Sequence, residues 1–122
     1  MARIRTIKPE FWTSEQIVAC CFQARLLFIG LWNFCDDGGI HRDSVRRIKM
    51  EIFPGDLVSD DQIEALLSEL TGAGLIERYQ VDGAKFLRVT GWSHQKIDSP
   101  TYKYPPPQNS RNAPGTIPER SA

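Results

Sequence analysis

The chain has 122 residues, 41% of them hydrophobic, which is enough for one domain with one modest core. No apolar run approaches the roughly 18 residues of a membrane span, and the basic start Met1–Lys8 is not followed by the apolar stretch of a secretory signal, so a cytoplasmic protein with no membrane partner is expected. Fifteen Lys and Arg balance fifteen Asp and Glu, so any nucleic-acid surface must come from local segregation of charge rather than from a basic excess.

The first predicted element is a single turn at Pro9–Trp12, with Pro9 at a first helical position and Phe11 and Trp12 as anchors onto the core. Thr13 or Ser14 is then placed to cap a short helix running to about Ala19. Phe22 to about Asp37 carries the strongest helical signal. Its apolar residues (Phe22, Leu26, Leu27, Phe28, Ile29, Leu31, Trp32, Phe34 and Cys35) cover more than one face, as in a central core helix or one that lies partly in an interface. Gly38-Gly39 ends it. Ile40-His41 fits a minimal strand. Asp43 or Ser44 caps the next helix, which runs to about Phe53 with Val45, Ile48 and Ile52 inward, before Pro54-Gly55. Ser59 caps a third main helix with Ile63, Leu66, Leu67 and Leu70 at amphipathic spacing. Two β-rich runs, Leu75–Val81 and Ala84–Val89, flank Asp82-Gly83, a strong hairpin signal.

Three cysteines, Cys20, Cys21 and Cys35, fit no disulfide framework and read as reduced thiols. Residues 99–122 hold six of the eight prolines, interspersed with Ser, Asn and Gly. That composition predicts an extended tail with no packed core. The expected organisation is therefore a folded domain over residues 1–98 and a disordered proline-rich tail over 99–122. The element order predicts a mainly α fold with a small β-hairpin, the winged helix-turn-helix arrangement with the hairpin as wing.

Three stretches carry a resemblance: Ala2-Arg3-Ile4-Arg5-Thr6-Ile7-Lys8-Pro9-Glu10-Phe11-Trp12, Ala24-Arg25-Leu26-Leu27-Phe28-Ile29-Gly30-Leu31-Trp32-Asn33, and Gly74-Leu75-Ile76. With Gly91-Trp92-Ser93-His94-Gln95-Lys96-Ile97, they resemble the N-terminal winged-helix part of phage and prophage replication-initiation, replisome-organiser-like proteins. The resemblance spans roughly residues 2–104 and implies a role in phage DNA replication or its control, inside a bacterial host.

The helix that enters the major groove in a typical winged helix is here acidic, with Asp60, Asp61, Glu64 and Glu69, which argues against conventional readout. Positive charge lies elsewhere: Arg3 and Arg5 at the N-terminus, Arg42, Arg46, Arg47 and Lys49 around the second main helix, Lys85 and Arg88 on the hairpin, and His94 and Lys96 after it. These ten residues are the candidate DNA-binding set, acting chiefly on phosphates of duplex or single-stranded DNA. The opposing reading makes Arg46 and Arg47 a solvated face paired with Glu51 or Asp43. Trp92 through Lys96, with Tyr102-Lys103-Tyr104, interleaves aromatic and basic groups in a way that suits base stacking, unless Trp92 closes the core. Pro105-Pro106-Pro107 equally fits a polyproline docking segment.

No P-loop, no Gly-x-Ser-x-Gly and no zinc-type cysteine pairing occurs. Asp36-Asp37 reads as loop, and Cys35, His41 and His94 have no ligand spacing. No catalysis, metal or cofactor is expected. Two functions from different classes follow. The first is a winged-helix DNA-binding accessory protein. The second is an interaction module that self-associates, or binds or inhibits a host or phage protein.

Overall fold

Local chemistry sets several of the starts: a proline opens the first turn, and a serine side chain caps each of two later helices. The computed structural model describes residues 2–92, 95, 97 and 100–107. A 3-10 turn, Pro9–Thr13, opens on the expected proline. It is followed by α1 (Glu15–Val18), α2 (Phe22–Phe34), β1 (Ile40–Arg42), α3 (Val45–Ile52), α4 (Asp60–Gly72), β2 (Ile76–Val81) and β3 (Ala84–Val89). Ser44 Oγ accepts the Arg47 amide at 3.3 Å to start α3. Ser59 does more: its Oγ accepts the Gln62 amide at 3.1 Å while Gln62 Oε1 accepts the Ser59 amide at 2.7 Å, a reciprocal capping box.

Among the described residues this makes a small mixed α/β domain, four α-helices with one three-stranded antiparallel sheet in the order β1-β3-β2. Asp82 and Gly83 both have positive φ, 52° and 82°, as the tight turn between right-twisted strands requires. The expected hairpin is thus present but is not the whole sheet. β1 pairs with β3 along Ile40↔Arg88, His41↔Leu87 and Arg42↔Phe86, so a strand read only as minimal becomes the sheet's third member.

One face of the sheet closes a core with α2, α3 and α4. Leu27, Leu31, Ile48, Ile63, Leu67, Leu70 and Leu87 are completely buried there. Alternation along the strands sends Ile40, Tyr79, Val81, Ala84 and Phe86 to the other face, where Ile40, Val81 and Phe86 form a second apolar cluster. Phe11 anchors the N-terminal turn, edge-on to Trp32 at 5.5 Å and 6.3 Å from Phe28. Trp12 does not share that role. It is exposed and meets Phe11 edge-on.

Two expectations change. α2 stops at Phe34 rather than near Asp37, because Cys35 is already extended, with ψ 156°. Asp36 Oδ1 accepts the amides of Gly38 at 2.9 Å and Ile40 at 3.0 Å, a side-chain turn that competes with continued helix. The second change concerns the proline-rich segment. Residues 100–107 lie against the folded domain, with Pro107 buried and Tyr104 packed on the second apolar cluster. The rest of the expected tail, 108–122, and position 99 lie outside the described residues. The packing that a proline-rich composition disfavours is supplied here by neighbours far away in sequence.

Candidate nucleic-acid interface

The candidate cations fall into two groups at different places in the fold. The first gathers at the N-terminal arm. Arg5 is almost fully buried, its side chain 4% exposed, and its guanidinium makes four hydrogen bonds. It donates to Trp32 O at 2.8 Å, to Cys35 O at 3.0 Å, to Asp36 O at 3.2 Å and to Asp37 Oδ1 at 3.0 Å. It also lies 4.9 Å from the centroid of the Trp92 ring. Arg3 approaches the same Asp37 oxygen at 3.5 Å. Arg5 therefore ties the N-terminal arm to the end of α2 and is buried away from any phosphate at the surface. Arg88, on the outer face of the sheet, is likewise paired, with Glu77 across the β2–β3 ladder at 2.6 Å. His94 and Lys96 lie outside the described residues.

The second group surrounds the turn from β1 into α3. Arg42 ends the edge strand, exposed, its guanidinium 5.9 Å from the centroid of Phe86. Arg46 and Arg47 are exposed in the first turn of α3, and Lys49 follows three residues after Arg46 on the same side of the helix. Arg46, Arg47, Met50, Glu51 and Ser44 line a shallow depression. Lys85 joins them through the backbone, since its carbonyl accepts the Asp43 amide at 3.0 Å. Arg47 shares Glu51 at 3.4 Å, as a helix-face pairing predicts. Arg42, Arg46, Lys49 and Lys85 form no ion pair among the described residues.

Two pairings that sequence reading missed hold this turn in place. His41 is buried, with Nε2 2.8 Å from Glu51 Oε1 and Nδ1 2.7 Å from Arg42 O, so one ring fastens β1 to α3. Arg78 on β2 spans two carboxylates. It donates to Asp43 at 2.7 and 3.0 Å and to Glu64 at 2.7 and 2.8 Å. The Arg78 hydrogen bonds hold the Glu64 carboxyl below its ordinary range against the opposing effect of burial. The only sequence signal for this clamp is an arginine in the middle of a β-rich run.

The clamp revises the electrostatics of α4. Glu64 is paired with Arg78, which it shares with Asp43, and Glu69 accepts the Cys21 amide at 2.7 Å. Asp60 and Asp61 sit in the first turn, where negative charge favours the helix. Two of the four carboxylates of this helix, Glu64 and Glu69, are thus committed to internal contacts, while Asp60 and Asp61 face solvent.

Trp92 is committed as well. Its Nε1 donates to Asp37 O at 2.9 Å and its ring lies against Gly39. It closes the core side of the loop instead of presenting a stacking platform. Among the described residues no three His, Cys, Asp or Glu side chains converge as metal ligands, and no helix is long and apolar enough to cross a membrane. No family model, curated protein or solved structure matches the chain.

Proposed function

We propose that this chain is a winged-helix-type DNA-binding accessory protein of phage origin, acting in replication or its control in the bacterial cytoplasm. It holds the phosphate backbone through the β1–α3 turn rather than reading bases with α4. The order helix, strand, helix, helix, hairpin, with β1 beside β3, supports the winged-helix reading, and the resemblance read in residues 2–104 is to the replication-initiation family. The observation that carries the DNA reading is the group Arg42, Arg46, Lys49 and Lys85, without ion pairs among the described residues, around one turn. Cations that neutralise phosphates release condensed counterions, so such binding weakens steeply with salt.

Fluorescence anisotropy with a labelled duplex and a labelled single strand tests this. The double change Arg42→Glu and Arg46→Glu should abolish binding to both without altering the circular dichroism spectrum. Parental affinity in that variant would overturn the β1–α3 site.

A second reading rests on a different observation. Phe22 and Leu26, one turn apart on α2, are 79% and 57% exposed, and Val18 at the end of α1 is 55% exposed. Exposed apolar side chains of this size favour an interaction module that self-associates or binds another protein. Light scattering distinguishes the two: a strict monomer at high protein concentration removes self-association.

A further inference from the structure

The second apolar cluster, on the outer face of the sheet, is roofed by residues from the far end of the described chain. Tyr104 lies 5.8 Å from Phe86 and 6.1 Å from His41, centroid to centroid, and Tyr79 lies 5.9 Å from Phe86. Tyr79 Oη donates to Pro105 O at 2.7 Å. At the other end two buried carboxylates receive the same segment. Asp37 Oδ2 accepts the Thr101 amide at 2.7 Å and the Asp37 amide donates to Thr101 O at 3.0 Å. Asp36 Oδ2 accepts the amides of Lys103 at 2.9 Å and Tyr104 at 2.8 Å.

We propose that this face is a docking groove for an extended, proline-containing peptide, filled in cis by residues 101–107 acting as a releasable strap. Every one of these polar contacts goes to the main chain of the segment, so recognition asks for an extended backbone rather than for particular polar side chains. Selectivity comes from the apolar inward positions. Tyr104 and Pro107 are turned in and Pro106 out, the spacing of three that a polyproline II helix presents to one side. Pro105, Pro106 and Pro107 bring no amide N–H into the apolar part of the groove, where none is needed. Aromatic rings with one hydroxyl donor for a carbonyl are the equipment of a proline-recognition groove. The strap belongs to no strand of the sheet, and Thr101, Tyr102, Lys103 and Pro106 remain exposed. Segments with this contact pattern open separately from the core. The inference is independent of DNA binding.

Amide hydrogen exchange on the full chain is the first test. The Thr101, Lys103 and Tyr104 amides should exchange at least about tenfold faster than those of β3, as a sub-global opening does. Equal protection in strap and β3 would mean that they open together and would overturn the proposal. Asp36→Asn keeps an oxygen for Gly38 and Ile40 but can turn an amide nitrogen toward Lys103 and Tyr104. It should speed strap exchange further and leave β3 unchanged. The peptide Pro-Thr-Tyr-Lys-Tyr-Pro-Pro-Pro, added to a Tyr104→Ala variant, whose strap loses its inward ring while the groove keeps Asp36, Asp37, Tyr79 and Phe86, should shift the resonances of Ile40, Tyr79 and Phe86 at concentrations about tenfold lower than in the parent. A folded variant that ignores the peptide would overturn the proposal. If Asp36→Asn fails to fold, Tyr79→Phe, lacking only the hydroxyl, carries the exchange comparison: faster strap exchange supports the groove, and an unchanged rate overturns it.

Discussion

Asp37 receives a guanidinium from the N-terminal arm, an amide from Thr101 and the longer-range charge of Arg3, all at a side chain with no exposed surface. Burial raises its carboxyl's affinity for a proton, but the Thr101 amide and the two arginines outweigh burial and hold it below the ordinary range. Glu64 is held down in the same sense, chiefly by Arg78. A carboxyl depressed on folding contributes stability above its unfolded value, about pH 4, and loses it as pH falls through the lower folded value. Urea midpoints should therefore be level from pH 7 to 5 and fall below about pH 4. Asp37→Asn should lose about 3–5 kcal/mol at pH 7, the cost of stranding a buried guanidinium, and show a shallower acid slope. A pH-7 midpoint equal to that of the parent would contradict this account of Asp37. The cysteines separate on the same scale. Burial and the neighbouring Asp36 charge push the Cys35 thiol far up, burial and Glu69 raise that of Cys20, and Cys21 is exposed. Iodoacetamide should label Cys21 alone in the native chain and all three after denaturation, read by mass spectrometry.

The elements begin where local chemistry says and end where distant contacts intervene. The reciprocal cap of Ser59 and Gln62 is local, and its serine is legible in the sequence. Ser59→Ala should cost about 1 kcal/mol in thermal or urea denaturation. The end of α2 is not local. Gly38-Gly39 reads as the stop, yet the helix ends four residues before Gly38, because Asp36 diverts the chain and Trp92 then packs over it. Gly39 has φ 79°, and a Cβ there would stand 2.7 Å from Trp92 Cγ. Gly39→Ala should thus lose about 2–4 kcal/mol, from left-handed backbone together with overpacking. A near-neutral effect would mean that the Trp92 lid adjusts freely. The sheet follows the same division. Asp82-Gly83 announces its hairpin through two residues that accept positive φ. The pairing of β1 with β3, by contrast, joins segments more than 40 residues apart, and no local pattern names that partner.

At the scale of the molecule, a net charge of zero resolves into a tethered pole and an open one. Arg3 and Arg5 serve Asp37, while Arg42, Arg46, Lys49 and Lys85 surround the β1–α3 turn. If all four cations of the open pole touch phosphates, log affinity should fall with log salt at a slope of about −3.6, roughly a hundredfold between 50 and 200 mM. A flat salt profile would remove DNA from the account and leave the exposed Val18, Phe22 and Leu26 as the better guide to function. The sequence alone determined the helices, their inward stripes and the hairpin, because periodicity, caps and turn residues act within a few positions of one another. Only the tertiary structure decided which charges are free. Arg5 and Arg46 are the same residue type in similarly basic surroundings, yet one is buried on Asp37 and the other points to solvent. Tertiary contact also placed residues 100–107 on the sheet. A carboxylate's partner and a proline segment's groove are set by residues 26 to 68 positions away, and local composition holds no record of them.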